Sequence, residues 1–458
     1  MKSRTDQFRF SLRNSNGAQQ ELIAGEHFRA DFLTLSDSLS LSLGPLELDF
    51  ARIGAAVYVA DRLTRRAPLR EHHYPSREME LVVGVSDPHF WQHIERELCE
   101  PLRFLADDQI KINFVHAPAL TPRWINLPLF NQDCDAIALD SGGLDSTAGL
   151  INRLTDSTQR YLLVTVEHQP HQRKRILGQM LSLNSGLRIR AIPTFTRATL
   201  INPPLLKQQE RTQRLRSFFF CALAGAIASR IGCRDVEVLE NGIGAVNLPP
   251  MEGMFWGGLA TRGAHPHFLR LMGRLASSVA GRSIRFDLPF KWWTKGEMVR
   301  DAIARGGETV LRDTVSCVHY PLREIGPAKQ CGLCPGCLGH LQAMHAAQSS
   351  VTADRFRRSP IEIKSLMGPD ADYLRAMAAQ IYDLSLMRTG QRLEGLRLHL
   401  VNSGAITTLD TWDKWLALHL RYASECEAWW EQAQQGQGKT NKHDGVLLRD
   451  EIEVLWQS

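Results

Sequence analysis

Residues 135–150, DAIALDSGGLDSTAGL, constrain this chain more than any other stretch. A short apolar strand, Ala136–Leu139, runs into Ser141-Gly142-Gly143-Leu144-Asp145-Ser146. An amphipathic helix is predicted to start near Asp145 and Ser146, with Leu144, Ala148, Leu150 and Ile151 as its apolar members. A strand that feeds a Gly-rich turn and a helix N-terminus makes a phosphate cradle. The glycines let the backbone approach an oxyanion, and the first N–H groups and the helix dipole attract it. The Ser141 and Ser146 hydroxyls add donors. Asp145 repels a phosphate, so it reads as an N-cap or as a Mg²⁺ ligand facing the phosphates. No Gly-Lys-Ser/Thr follows, so this is not a Walker A loop.

The rest of the central region fits such a turn. Strands are predicted at 136–139, 161–166, 189–193, 235–240 and 284–288, and helices at 145–155, 171–184, 212–230, 266–280 and 295–305. That alternation implies an α/β fold, a parallel five-stranded sheet with helices on both faces, over residues 130–345. In such a sheet ligands bind beyond the C-terminal strand ends, where the SGGLDS turn and Glu167-His168 fall. Before it, residues 1–120 read as an accessory α+β domain. Period-two alternation marks strands at 8–12, 46–50, 78–85 and 110–114, and helices are expected at 51–64 and 88–105. The Pro-containing segment 117–128 is the expected linker. Residues 350–458 read as a helical C-terminal region, with helical spacing over 373–386 and 409–433 and a polar loop at 432–444. Trp412, Trp415, Trp429 and Trp430 are expected to be packing core there.

At 458 residues the chain is long enough for two or three domains. Its net charge of +5 (54 basic, 49 acidic residues) is mild, and no block of like charge marks a nucleic-acid tail. Nucleic acid is therefore not the expected partner. The N-terminus lacks the apolar run of a signal peptide, and the most apolar segment, residues 218–228, is too short to span a membrane. Nine cysteines with one tight cluster point to a metal in a reducing compartment, so a cytoplasmic location is expected.

That cluster is Cys317, Cys331, Cys334 and Cys337, the last three in CGLCPGC. Four thiolates with two CxxC-type steps can close a tetrahedron around Zn²⁺ and leave no position for water, which makes the metal structural. Four cysteines also suit an iron–sulfur cluster. A redox CxxC pair would leave one cysteine without a role. Cys99, Cys134, Cys221, Cys233 and Cys426 lack such spacing and read as packing.

SGGLDS after a hydrophobic strand resembles the PP-loop of the ATP pyrophosphatases. With a four-cysteine site further along, the chain resembles the 7-cyano-7-deazaguanine synthase (QueC) family over roughly residues 133–345. Arg214-Leu215-Arg216-Ser217-Phe218-Phe219-Phe220 looks like that family's Arg-containing helix start. Residues 289–299, PFKWWTKGEMV, look like its Thr-Lys-x-Glu segment, and Thr314-Val315-Ser316-Cys317 like its Thr-Trp-Ser-Cys.

The resemblance implies ATP-dependent adenylation of a carboxylic acid, 7-carboxy-7-deazaguanine or similar, with release of pyrophosphate. Amine attack then gives an amide. ATP, Mg²⁺ and Zn²⁺ are the implied cofactors. Leu139, Ser141, Gly142, Gly143, Leu144, Asp145 and Ser146 would hold ATP and pyrophosphate. Lys295, Arg216 and Asp145 would be catalytic, and Cys317, Cys331, Cys334 and Cys337 would hold zinc. The family's deazapurine stretch is replaced here by residues 240–250, ENGIGAVNLPP. Asn241, Gly242, Thr261 and His265 are the substrate candidates. The two flanking regions resemble an extended, QatC-like branch found in antiphage defence operons, where the amine acceptor would be a partner protein from the same operon. Other readings are free nitrile synthesis for queuosine, a tRNA-modifying PP-loop enzyme, and a nucleotide-binding scaffold without catalysis.

Overall fold

Hydrophobic runs, proline-started helices and glycine stops divide the chain into ten strands and fourteen helices among the described residues. The computed structural model describes residues 8–14, 17, 19–30, 43–66, 76–118, 134–167, 171–184, 191–202, 205, 209–210, 214–247, 262–320, 329–349, 355–357, 369–407 and 411–437. In chain order they are β1 (Arg9–Asn14), β2 (Gln19–Ile23), β3 (Phe28–Ala30), α1 (Pro45–Leu63), β4 (Glu78–Val85), α2 (Pro88–His93), α3 (Glu95–Ala106), β5 (Gln109–His116), β6 (Ala136–Leu139) and α4 (Leu144–Asp156). There follow β7 (Tyr161–Glu167), α5 (Gln172–Asn184), β8 (Ala191–Leu200), α6 (Arg216–Ile231), β9 (Asp235–Val238), α7 (Gly242–Val246), α8 (Pro266–Ala280) and β10 (Arg285–Asp287). The rest is helical: α9 (Lys295–Ala304), α10 (Glu308–Leu311), α11 (Pro335–Ala346), α12 (Pro369–Arg388), α13 (Leu393–Asn402) and α14 (Trp412–Gln437).

The chain forms two compact units. The first comprises Met1–Ser141, Thr158–Val238 and Thr261–Leu288, and the second Gly142–Ser157, Leu239–Ala260 and Pro289–Ser458. All ten strands belong to the first. Its larger sheet has the order β10-β9-β6-β7-β8-β3. The first five strands are parallel, with Ala136 opposite Tyr161 and Ile137 opposite Val236. This is the expected five-stranded parallel sheet, flanked by helices, with β3 added antiparallel on β8. Every residue of β7 is buried, which is why it reads as a continuous apolar run rather than an alternation. A second sheet has the order β2-β1-β4-β5, in which β4 and β5 are parallel.

One expected strand is a helix. Residues 46–50 alternate apolar and acidic, but Pro45 stands at the first turn and Glu47 complements the helix dipole, so α1 begins there. Leu48 to Asp61 are all buried, so α1 shows no exposed face to betray its period. It packs on α6 at Gly54, where a Cβ would stand 3.0 Å from that of Ala222, and Tyr58 stacks on Phe219. Because α1 packs on α6 and β3 joins the parallel sheet, residues 1–120 share a unit with that sheet. The linker expected at 117–128 lies, from residue 119 on, outside the described residues.

The first unit also buries an ionic network. Arg66 forks onto Asp108 at 2.8 and 2.7 Å, and Arg77 reaches the same carboxylate at 2.6 Å and Asp61 as well.

In the second unit α4 packs on α9, α9 on α11, and α14 on α11, α12 and α7. Its core holds Trp415, Leu418, Leu400, Leu338, Trp429 and Trp430, with Trp412 packed at its margin, as expected of the tryptophans. α14 runs to Gln437, past the predicted end at 433 and into the expected polar loop. The remainder of that loop lies outside the described residues.

Candidate functional site

The chain crosses from the first unit to the second between Ser141 and Gly142, so Leu139 and Ser141 belong to the first. Ser141 is exposed there, and its carbonyl accepts from the Gln172 amide at 3.1 Å. Gly142 has φ +66°, a left-handed conformation that a side chain would strain. Gly143 is the N-cap of α4, and its carbonyl accepts from Thr147 N at 3.0 Å and from the Ser146 hydroxyl at 3.3 Å. The helix starts at Leu144, so Asp145 is its second residue rather than its cap. The N-cap expectation for Asp145 is thereby corrected: no side chain caps α4, and the Asp145 carboxylate turns elsewhere.

It turns to Lys295 and Asn241. Lys295 Nζ stands 2.8 Å from one Asp145 oxygen, and the Asn241 amide donates to the other at 2.9 Å. The same Asn241 nitrogen donates to Glu240 at 2.7 Å, and the Asn241 oxygen caps α7 by accepting from Gly244 N at 2.9 Å. Asn241 is buried, so a single amide links two carboxyl groups and fixes the turn that carries them. The two glycines of α7 allow this approach. A Cβ on Gly244 would stand 2.4 Å from Glu240, and one on Gly242 would strike the Lys291 carbonyl.

Lys295 opens α9, whose start is over-determined. Thr294 and Glu297 form a capping box, and the Thr294 hydroxyl donates to Glu425 of α14 at 2.7 Å. Arg421, also of α14, donates to the Trp292 carbonyl at 2.7 Å and to Glu297 at 2.6 Å. The C-terminal helix thus holds the turn that presents Lys295. On its other side, α11 comes close at Gly339, where a Cβ would lie 3.9 Å from the ammonium.

The electrostatics follow from one cation among two carboxyl groups. Burial alone would lower Lys295, but Asp145 and then Glu240 outweigh it and hold the ammonium above its ordinary range. Burial, then the charge of Asp145, raises Glu240 to about 8, so it keeps a proton near neutrality. Burial, then Lys295, lowers the nearby His340 to about 3, leaving a neutral imidazole. The arrangement offers a fixed ammonium for developing negative charge and a carboxylate for a divalent cation.

Of the other candidates, Arg216 opens α6 in the first unit, half-buried over the Phe220 ring at 5.7 Å, where burial lowers it. His265 also lies in the first unit. It is wholly buried and caps α8 by accepting from His267 N at 3.1 Å, with its ring against Phe104. Arg216 and His265 thus fall in a different unit from Asp145, Asn241, Gly242 and Lys295. Thr261 and His168 lie outside the described residues. Glu240 and Glu425 were not among the sequence candidates. Glu240 had a usable signal, since it ends a predicted strand of the parallel sheet. Glu425 had none, because its role depends on how α14 packs.

The four cysteines converge as expected. Their sulfurs all lie within 4.8 Å of one another, and Cys331 and Cys337 are 3.7 Å apart. A tetrahedron with Zn–S bonds of about 2.3 Å has edges of about 3.8 Å, so the quartet fits a single ion. A multi-iron cluster, with each sulfur on a different iron, would spread the four further apart. Hydrogen bonds from Cys317 and its neighbours push Cys331 below the ordinary thiol range and Cys334 and Cys337 above it, the pattern of sulfurs sharing protons where a cation would replace them. Cys334 caps α11, and Cys337 lies on it one turn before His340. Gly336 is required there, since a Cβ would stand 2.0 Å from the Ser316 carbonyl.

No known family, curated protein or solved structure matches this chain. Function has to be read from the site itself. No helix among the described residues is long and apolar enough to cross a membrane.

Proposed function

We propose that this protein is an ATP-dependent ligase that adenylates a carboxylic acid and transfers its acyl group to an amine. A carboxylate oxygen attacks the α-phosphorus of ATP, the bond to the bridging oxygen breaks, and pyrophosphate leaves. The amine nitrogen then attacks the acyl carbon, AMP departs, and the amine loses a proton. Catalysis of the first step is largely the stabilisation of charge on the departing pyrophosphate.

The observation that carries this reading is the grouping of Lys295, Asp145, Asn241 and Glu240, with contacts of 2.7–2.9 Å, at the first turn of α4. Gly142 to Ser146 hold the pyrophosphate, Lys295 meets its charge, and Asn241 keeps Asp145 in place. Asp145 would hold Mg²⁺, which screens the phosphates when bound. The four cysteines would hold zinc as a structural ion. The acid is of the 7-carboxy-7-deazaguanine type, and the acceptor is a partner protein of an antiphage defence system.

Turnover of ATP by the full chain, with and without 7-carboxy-7-deazaguanine, tests the reading. Acid-dependent AMP and pyrophosphate support it, and a mass increase on the partner protein identifies the acceptor. ADP as the nucleotide product, or no turnover with any acid, overturns it. A colourless protein with one zinc per chain is expected by elemental analysis.

A further inference from the structure

The second unit contains a cavity of about 210 Å³ that reaches Lys295 and is otherwise walled largely by the C-terminal helices. Lys295 and Val246 line it together with Leu384 and Met387 of α12, Leu396 of α13 and His419 of α14. Its carboxylate, Asp383, is already matched by Arg392 at 2.6 Å, so among the described residues α12 to α14 line it with no unmatched carboxylate. A body that fills it is uncharged and mostly apolar.

His419 supplies direction. It is buried, and its Nδ1 lies 2.7 Å from the Trp415 carbonyl. A carbonyl only accepts, so Nδ1 carries the hydrogen and Nε2 keeps its lone pair. Burial lowers His419 to about 4, so the ring stays neutral at ordinary pH. Among the described residues nothing donates to Nε2. His419 lines the cavity, so a ligand N–H or O–H seated there can pair with Nε2.

We propose that this cavity binds the non-reacting body of the acid, and that His419 Nε2 selects a body bearing an N–H or O–H donor. The proposal rests on the ligase reading for the identity of the reacting group. The C-terminal helices then set substrate choice, while the turn at 142–146 and Lys295 set the reaction.

Isothermal titration of the full chain, without ATP, with indole-3-carboxylate and 1-methylindole-3-carboxylate tests this. The two acids differ in one ring N–H. The N–H acid is expected to bind about fivefold more tightly, the worth of one hydrogen bond. His419→Gln, which keeps an acceptor, should retain the preference, and His419→Leu should abolish it. Met387→Trp should fill the cavity and remove binding of both acids. Equal affinities for the wild-type protein, no binding of either acid, or a preference that survives His419→Leu overturns the proposal. If His419→Leu fails to fold, the acid pair on the wild-type protein and Met387→Trp still decide. Because no nucleotide is present, a failure of AMP formation leaves this result standing. Acid-dependent AMP without N–H discrimination overturns this proposal alone.

Discussion

Each unit buries a cluster of ionisable side chains, and the two are balanced differently. In the first, Arg66 and Arg77 face Asp61 and Asp108, with side chains no more than 3% exposed. Two cations meet two anions; the guanidinium groups bond both Asp108 oxygens and one of Asp61, whose other oxygen accepts from Leu215 N. In the second, Asp145 and Glu240 share one ammonium, and the Lys295 and Asp145 side chains are 22% and 16% exposed. Among the described residues that cluster has no second cation, and it retains access to solvent. Complete matching makes a scaffold that no ligand improves. Incomplete matching leaves room for a metal ion, a phosphate or a proton to complete it, which is what a reaction site requires.

The comparison breaks most readily at its scaffold side. Asp108→Ala strands Arg66 in the interior, leaves Arg77 with Asp61 alone, and should cost about 3–5 kcal/mol of stability, read by urea unfolding. A loss below about 1 kcal/mol would mean that the network is no scaffold. Lys295→Met is the counterpart on the other side. AMP formation should drop by about 10²–10³, with a far smaller change in the urea midpoint. If unfolding shifts as much as for Asp108→Ala, Lys295 is itself scaffold and the contrast fails.

The two clusters were unequally legible in the sequence. SGGLDS announced the second through turn glycines set directly before a helix start, and Lys295 entered through the resemblance of residues 289–299. The first was invisible: Asp61, Arg66, Arg77 and Asp108 stand far apart in the chain, and each alone reads as a surface charge. The parallel sheet was legible because β6, β7 and β9 are short apolar runs between amphipathic helices. α1 was misread over residues 46–50 because a helix buried on every side has no polar stripe to set its period. β3 and α13 gave too few residues for a pattern. Asn241 is a substrate candidate in the sequence; in the structure its amide bonds Asp145, Glu240 and the α7 cap, and the residue lines the cavity at Lys295. No local pattern announces a bond between residues 96 positions apart.

Asn241 offers a finer cut. Asn241→Asp keeps the cap oxygen but replaces the shared donor with a third carboxylate. Stability should fall by about 1–3 kcal/mol, and AMP formation by about tenfold. Asn241→Asp with unchanged activity would mean that the amide does not hold Asp145 in place.

The smallest expected effect is also the most diagnostic of imbalance. Glu240 is raised from 4.5 to about 8, by burial first and by Asp145 next. Across that window the folded protein keeps a proton that the unfolded chain has released, so stability falls as pH rises. Without added magnesium, the unfolding free energy should decline by about 1 kcal/mol between pH 7 and pH 8, and Glu240→Gln should flatten that decline. Magnesium should also reduce the slope, because a divalent ion supplies the charge that Lys295 alone does not. A wild-type slope that survives Glu240→Gln would place the unbalanced proton elsewhere and remove the basis for treating the two clusters as different in kind.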